Sequence, residues 1–296
     1  MNPAKSAARA ALQRVIGEQR TLALARLVAD GRSGLEYGVS RRGQESARRL
    51  RELKDQYRGE RCFIIGNGPS LREMDLSPLR GEFTFGLNRA PLLFPRMGFQ
   101  TTFLVCVNRL VIEQSGEELL GTSCTKFVSW QGRRFLPASA DVNYLRSVRG
   151  PRFATDPSRG VWEGGTVTFV AMQLAYHLGF ETVILIGVDH AFTTTGPPNQ
   201  QTTSGGDDPN HFDPSYFGKG YRWHLPDLER SETAYGLARE QFEASGRTIV
   251  DATVGGKLTV FRKVPYDALT RDPRAPGASV SAPPMLQQDD EAGLGG

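Results

Sequence analysis

Cysteine is scarce in this chain of 296 residues, and Cys62, Cys106 and Cys124 are widely spaced. No CxxC pair occurs, so the sequence predicts neither a disulfide framework nor a structural zinc site. No run approaches the ~18 consecutive apolar residues of a membrane-spanning helix. The N-terminal segment also lacks the apolar stretch of a secretory signal. We therefore expect buried, reduced cysteines and a cytoplasmic location.

Net charge is small, at +4, and unevenly distributed. Residues 1–60 hold 13 Lys and Arg against 7 Asp and Glu, whereas the remainder holds 23 against 25. A nearly neutral core argues against nucleic acid as a partner. Residues 1–58 are predicted to form a basic helical extension, with helices over 6–29 and 42–57. Three roles stay open for this extension: packing on the core, pairing with a second copy, or peripheral contact with an anionic membrane.

Short apolar runs alternate with helical patterns after the extension. Strands are predicted at RCFIIG, FTFGLN, TTFLVCVN, CTKFVSW, TVILIGVDH and RTIVDAT, and helices over 167–179 and 228–246. This alternation predicts an α/β fold, a Rossmann-like and mainly parallel sheet over residues 59–271. Residues 191–224 are polar and too long for a simple connection, which indicates a lid loop. Residues 272–296 are predicted to form a disordered tail.

The first predicted strand leads into a glycine-containing loop with Gly66, Asn67, Gly68 and Ser70. In parallel sheets, ligands bind beyond the carboxyl ends of the strands. The two glycines allow close approach of a ligand, and free N–H groups in such a loop can cradle phosphate. The segment matches neither GxxxxGK[ST] nor GxGxxG, so it predicts neither a P-loop ATPase nor a typical NAD site.

Further polar residues end the following strands. Asn88 and Asn108 close the second and third, so with Asn67 three neutral amides stand at three successive strand ends. Amides recognise a ligand by hydrogen bonds without requiring a charge. Asp189 ends the most hydrophobic strand, where it can act as a base, bind a metal or anchor the next loop. His190 beside it has the same alternatives.

The end of the predicted lid holds the densest cluster of reactive and aromatic side chains. A histidine there can accept a hydroxyl proton near neutral pH. Tyrosine, lysine and arginine can hold a leaving phosphate by hydrogen bonds and charge. The spacing matches no standard metal site. The candidate lid residues are His211, Tyr216, Lys219, Tyr221, Arg222 and His224.

Several of these motifs together resemble known families. FIIGNGPSL, the asparagine strand ends and GGTVTFVAMQLAYHLGFETVILIGVDH resemble the bacterial sialyltransferases of glycosyltransferase family 42. A wider group, the 6-hydroxymethylpterin diphosphokinase-like proteins, is more similar still and includes the motility-accessory-factor glycosyltransferases. HFDPSYFGKGYRWH and DATVGGKL are typical of its bacterial members. The resemblance covers about residues 60–270.

The resemblance implies roles for individual residues. His224 would be the general base, while Tyr216 and Tyr221 would replace the leaving-group tyrosines of the sialyltransferases. The family has those tyrosines just after the aspartate strand, where this chain has Ala191, and it has an arginine near the position of Gly164. These departures argue against sialic acid itself as the transferred sugar. The implied donor-binding residues are Gly66, Asn67, Gly68, Ser70, Asn88, Asn108, Thr166 and Asp189.

The resemblance thus implies a glycosyltransferase-like enzyme acting from a CMP-activated donor on a surface-glycan or protein acceptor. A sugar of the nonulosonic-acid type would be transferred by direct, inverting displacement, with no cofactor and no metal. A Mg²⁺- and ATP-dependent pterin diphosphokinase stays open, with Asp189, Asp207 or Asp208 as metal ligands. A non-catalytic nucleotide-binding scaffold also stays open. Expected partners are the donor, the acceptor and a second copy of the chain, with peripheral contact at the inner membrane face.

Overall fold

An eight-stranded sheet forms the centre of the molecule. The structure, a computed structural model, describes residues 18–270. All eight strands are parallel, in the order β10-β9-β6-β1-β2-β3-β4-β5. The predicted α/β, Rossmann-like sheet is therefore confirmed. Its strands are β1 Arg61–Ile65, β2 Phe83–Leu87, β3 Phe103–Cys106, β4 Thr125–Ser129, β5 Val142–Leu145, β6 Thr182–Ile186, β9 Thr248–Asp251 and β10 Arg262–Lys263.

Helices cover the sheet, and two further strands form a separate hairpin. The helices are α1 Glu18–Val39, α2 Arg41–Glu52, α3 Phe94–Met97, α4 Arg109–Leu120, α5 Val167–Leu178, α6 Leu228–Ala244 and α7 Tyr266–Thr270. The hairpin consists of the antiparallel strands β7 Gln201–Thr203 and β8 Arg222–His224. The predicted tail and the first part of the helix predicted over 6–29 lie outside the described residues.

The core has one hydrophobic cluster on each face of the sheet. Side chains alternate along β1, so Ile64 packs in the cluster with α5 and α6, whereas Phe63 and Ile65 pack in the other. Such two-sided burial explains the nearly continuous apolar sequence of the central strands. Helix α5 is apolar on nearly all sides because it is buried along its length. It ends at Gly179, whose φ of 101° few other residues adopt.

Helix α2 is part of the packed molecule. Leu50 is fully buried, and its carbonyl accepts a hydrogen bond from His177 Nε2 at 2.7 Å. Ser46 Oγ accepts a hydrogen bond from the backbone N–H of Tyr144 in β5, at 3.0 Å. Helix α1 contacts this region through Tyr37, whose hydroxyl donates to the Tyr144 carbonyl. The predicted boundary at residue 58 stays a prediction, while α2 clearly shares the core.

The predicted lid has two parts that differ in burial. The outer lid segment, residues 193–207, is largely exposed. The docked lid segment, residues 208–224, buries four aromatic rings in the core: Phe212, Tyr216, Phe217 and Trp223. Arg72 fixes it by donating hydrogen bonds to the carbonyls of His211 and Phe212. No helix within residues 18–270 combines the length and apolarity needed to cross a bilayer.

Candidate functional site

A cavity of about 530 Å³ opens at the carboxyl ends of β1, β2, β3 and β6. Its volume is in the range of small-molecule sites. The residues that follow these strands supply one wall, and the first turns of α4, α5 and α6 supply much of the rest. Most of the predicted donor-binding residues are brought together here. Those that line the cavity are Gly66, Asn67, Gly68, Asn88, Asn108, Thr166 and Asp189.

The loop after β1 is held by contacts within the protein. The N–H of Gly66 donates to the Ile186 carbonyl at 2.7 Å, and that of Gly68 donates to the Gly187 carbonyl at 2.9 Å. The N–H of Ser70 donates to Asp189 Oδ1 at 3.0 Å. These N–H groups are therefore unavailable to a ligand. These three groups join β1 to the segment after β6, so the expectation that the loop cradles a phosphate stays a prediction that rests on the Asn67 N–H.

Asp189 anchors this loop. Its Oδ2 accepts a second hydrogen bond from the Ser70 hydroxyl at 2.7 Å, so Ser70 engages both carboxylate oxygens. A Cβ atom at Gly68 would overlap the Asp189 carboxylate, and one at Gly66 would overlap the Gly187 carbonyl. Both glycines are therefore required by this close approach of two loops. Ser70 itself does not line the cavity.

Two asparagines on the cavity wall have unsatisfied amide oxygens. Oδ1 of Asn67 and Oδ1 of Asn88 are buried and accept no hydrogen bond from any residue within 18–270. Asn88 has a left-handed backbone, with φ of 49°, a conformation that asparagine tolerates better than most residues. Asn108 differs, because its Oδ1 accepts the Leu110 N–H and so caps α4. A buried acceptor without a donor costs about 1–3 kcal/mol, which a bound ligand can recover.

Three helix N-termini meet at the cavity. Asn108 begins α4, Thr166 begins α5, and Leu228 and Ser231 belong to the first turn of α6; all four line the cavity. The Thr166 Oγ1 accepts the Thr168 N–H at 3.3 Å and is also within 3.3 Å of the Tyr235 hydroxyl. Each N-terminus carries a partial positive charge, so their convergence favours an anionic ligand.

Three of the four histidines in the chain line this cavity. His190 follows β6, His211 lies in the docked lid segment, and His224 ends β8. The fourth, His177, is buried in α5 and bonded to backbone carbonyls. The sequence placed His224 at the site but left the role of His190 open.

Two of these histidines have a carboxylate partner. His190 Nε2 lies 2.8 Å from Glu232 Oε1, and His211 Nδ1 lies 2.6 Å from Asp208 Oδ2. The ring of His224 is exposed and forms no side-chain hydrogen bond with residues 18–270. Neither pairing was predicted: Glu232 lies on a helix far along the chain from His190, and no motif marks it.

Glu163 is another cavity residue that the sequence did not indicate. Its carboxylate accepts a hydrogen bond from the Ser147 hydroxyl. Burial raises the pKa of Glu163, against the lowering effect of Ser147 and of the nearby Arg230 guanidinium. Desolvation of a carboxylate that forms no ion pair within residues 18–270 favours its protonated form.

The predicted leaving-group tyrosines lie outside the cavity. Tyr216 is fully buried, its ring stacks on His211 at 4.0 Å, and its hydroxyl accepts the Arg89 N–H. The Tyr221 hydroxyl is 3.0 Å from Ser115 Oγ, and burial raises the pKa of Tyr221 to about 12. Both tyrosines thus bind the docked lid segment, of which they are part, to the residues beneath it: Tyr216 to Arg89 and Tyr221 to Ser115.

The two charged lid candidates also lie outside the cavity. Arg222 pairs with Glu113 at 2.9 Å, and Lys219 is exposed.

The two lid aspartates considered as metal ligands, Asp207 and Asp208, differ in burial and in hydrogen bonding. Asp208 is buried and accepts the N–H groups of Asn210 and Phe217 besides its contact with His211. Asp207 is exposed and lines a smaller neighbouring cavity of about 220 Å³. Among residues 18–270, no group of three or more His, Cys, Asp or Glu side chains is arranged to hold a metal ion.

Comparison with known proteins finds a structural likeness but no matching family model and no matching curated sequence. No protein-family model matches the chain, and no curated protein sequence matches it. Among solved structures, it is similar to the MAf glycosyltransferase from Magnetospirillum magneticum AMB-1, at 17% identity and a TM-score of 0.47. The match covers 78% of this chain and 39% of that one, so this chain spans well under half of that protein's length. At this identity and TM-score, the likeness assigns neither activity nor substrate.

Proposed function

We propose that this chain is a glycosyltransferase-like enzyme that takes a CMP-activated sugar of the nonulosonic-acid type. The acceptor is a hydroxyl of a surface glycan or of a protein. The reaction is a direct displacement at the anomeric carbon of the donor, and it inverts the configuration there. The sequence resemblance to family 42 sialyltransferases suggests the donor class, and the chemistry of the cavity supports it.

The observation that carries this proposal is the pair of unpartnered amide oxygens of Asn67 and Asn88 on the wall of the cavity. A nucleoside offers hydroxyl and amino donors that would satisfy both oxygens. The Asn67 N–H is the one amide of the loop segment 66–70 that has no acceptor within residues 18–270. Buried acceptors that lack donors are rare in proteins, and here they occur at neighbouring strand ends.

The surrounding charges suit the rest of such a donor. The N-termini of α4, α5 and α6 stabilise a phosphate as negative charge develops on it during departure. Arg109 and Arg230 at the cavity add full positive charges. A cavity histidine accepts the proton of the acceptor hydroxyl, a contribution of about 10²–10⁴ in rate. The sequence resemblance assigns that role to His224.

Calorimetric binding of CMP, with and without Mg²⁺, tests the proposal. We expect CMP to bind in both conditions and Asn88→Gly to weaken it about tenfold, roughly 1.4 kcal/mol, because one buried hydrogen bond is lost. Glycine suits the backbone φ of 49° at this position. The free energy of unfolding should therefore change by less than about 1 kcal/mol, which separates loss of binding from loss of folding.

Asn143→Ala is the matched control. Asn143 in β5 is also buried with an unpartnered amide oxygen, but it does not line the cavity. Its substitution should leave CMP affinity unchanged. Binding of ATP only with Mg²⁺, with CMP inert, would replace the proposal by a diphosphokinase. Binding of neither nucleotide would favour a non-catalytic scaffold or another donor.

A further inference from the structure

The pairing of His190 with Glu232 is unusual among the side chains of the cavity. His190 Nε2 lies 2.8 Å from Glu232 Oε1. The side chain of His190 is only 8% exposed. The carboxylate is an acceptor, so it fixes the proton of the neutral ring on Nε2. Nδ1 then has no partner among residues 18–270, although the residue lines the cavity. The geometry is that of a base oriented by a third group.

The other two cavity histidines lack this combination. His211 also has a carboxylate partner, but its ring stacks on Tyr216 at 4.0 Å and lies in a T-shaped contact with Phe217. That packing makes it a support for the docked lid segment. His224 is exposed, and no carboxylate orients its ring. Within residues 18–270, His190 alone of the three is paired with a carboxylate and has no stacked ring, since its contact with Tyr235 is edge-on at 6.2 Å.

The backbone around His190 is held in one position. Its φ of 53° is left-handed, which is uncommon for a residue with a side chain and concentrates at functional sites. The preceding residues are fixed, since Val188 N–H donates to Thr253 Oγ1 at 3.1 Å and the Asp189 carbonyl accepts the Lys257 N–H at 2.8 Å. A side chain on such a support keeps its position when substrate binds.

We infer that His190, oriented by Glu232, is the general base of the transfer, an inference that rests on the proposed function. The oxygen of the acceptor hydroxyl forms a bond to the anomeric carbon of the donor sugar, and its proton passes to His190 Nδ1. The bond from that carbon to the phosphate oxygen breaks, and its electron pair leaves with CMP. Glu232 stabilises the imidazolium that forms.

This role is tested by measuring the turnover of a CMP-activated nonulosonic acid, with the release of CMP as the signal. We expect His190→Gln to lower kcat by about 10²–10⁴ while the KM for the donor stays within about threefold. Glu232→Gln should lower kcat by roughly tenfold, since it removes orientation and not the base itself. Glu240→Gln is the control, because it removes the same charge two turns further along α6, on an exposed side chain.

Chemical rescue distinguishes a base from a structural residue. Added imidazole should restore part of kcat in His190→Gly, a substitution that the left-handed backbone accepts. Rescue of His224→Gly, with none for His190→Gly, would overturn the inference and return the role of base to His224.

A third measurement needs no sugar. In ¹⁵N-histidine spectra of the full chain, His190 should show one neutral tautomer, protonated on Nε2, which becomes mixed in Glu232→Gln and stays single in Glu240→Gln. A mixed tautomer in the unmutated chain would overturn the inference. If CMP fails to bind, the proposed donor class is wrong. If the tautomer of His190 nevertheless depends on Glu232, the orientation of His190 by Glu232 still holds.

Discussion

At the scale of single residues, some polar groups of the site have hydrogen-bond partners within residues 18–270, and others have none. Ser70 donates to both oxygens of Asp189, and the N–H groups of Gly66 and Gly68 are bound to backbone carbonyls. Asn67 and Asn88 are left without donors for their amide oxygens. The glycine loop is therefore rigid, and in the proposed function the two asparagines recognise the donor.

Glu163 gives a prediction for stability against pH. Burial raises its pKa above the ordinary value of 4.5, so the folded state favours the protonated form. The stabilisation is fully present below the unfolded pKa and is lost as pH rises through the folded one. We expect Glu163→Gln, whose amide oxygen can still accept from Ser147, to gain stability relative to the unmutated chain as pH rises from 4 to 8. Urea unfolding measures this difference.

The exposed Glu240 supplies the control for that experiment. Relative to the unmutated chain, Glu240→Gln should not gain stability as pH rises from 4 to 8. A Glu163→Gln difference that stays constant from pH 4 to 8 would contradict the burial of an ionisable carboxylate at this position.

At the scale of elements, the docked lid segment is bound by two arginines that follow strands β1 and β2. Arg72 holds the carbonyls of His211 and Phe212, and Arg89 holds those of Ser215 and Tyr216 while pairing with Glu118 at 2.7 Å. The outer lid segment, by contrast, has no buried residue. We expect motion that admits substrate to occur in the outer lid segment, because opening the docked one would expose buried aromatic rings.

Hydrogen exchange distinguishes the two segments. We expect the N–H of Phe212, bonded to the Asn67 carbonyl at 2.9 Å, to exchange slowly. The N–H groups of residues 194–196, which have no acceptor within residues 18–270, should exchange within seconds to minutes. Arg72→Ala should accelerate exchange at Phe212 about tenfold or more, by removing two hydrogen bonds of roughly 1 kcal/mol each. Equal exchange in both segments of the unmutated chain would show that residues 191–224 move as one lid.

Much of the sheet could be predicted from the sequence, because the buried strands are continuous apolar runs. Strand β5 was not predicted, since its four residues VNYL are too short for a pattern. Helix α4 was not predicted either, because Ser115, with φ of −128°, interrupts its helical geometry beside Gly116. The strand-end asparagines were found from their spacing. The pairing of His190 with Glu232 could not be, because only the tertiary fold brings α6 to the end of β6.

At the scale of the whole molecule, helix α2 and the sheet behave as one packed unit. Leu50 is fully buried, whereas Val28 on α1 is 63% exposed. We expect Leu50→Ala to lower the free energy of unfolding by about 2–5 kcal/mol and Val28→Ala to change it by less than about 0.5 kcal/mol. Urea unfolding followed by circular dichroism and by tryptophan fluorescence measures both variants.

The two signals report on cooperativity as well. Trp130, Trp162 and Trp223 lie in different parts of the chain, so coincident transitions indicate one cooperative unit. Two separate transitions, with only the first affected by Leu50→Ala, would instead show that the N-terminal helices unfold independently.

The strand order also constrains how the chain is made. β1 lies between β2 and β6, but β6 is synthesised long after β1. A nascent chain that has left the ribosome as far as β5 can pair one side of β1, while the other side remains an open strand edge. Such an edge is a template for pairing with other chains. One of the two central strands of the finished sheet is therefore an edge strand during synthesis, and it is then that the chain most needs the protection of a chaperone.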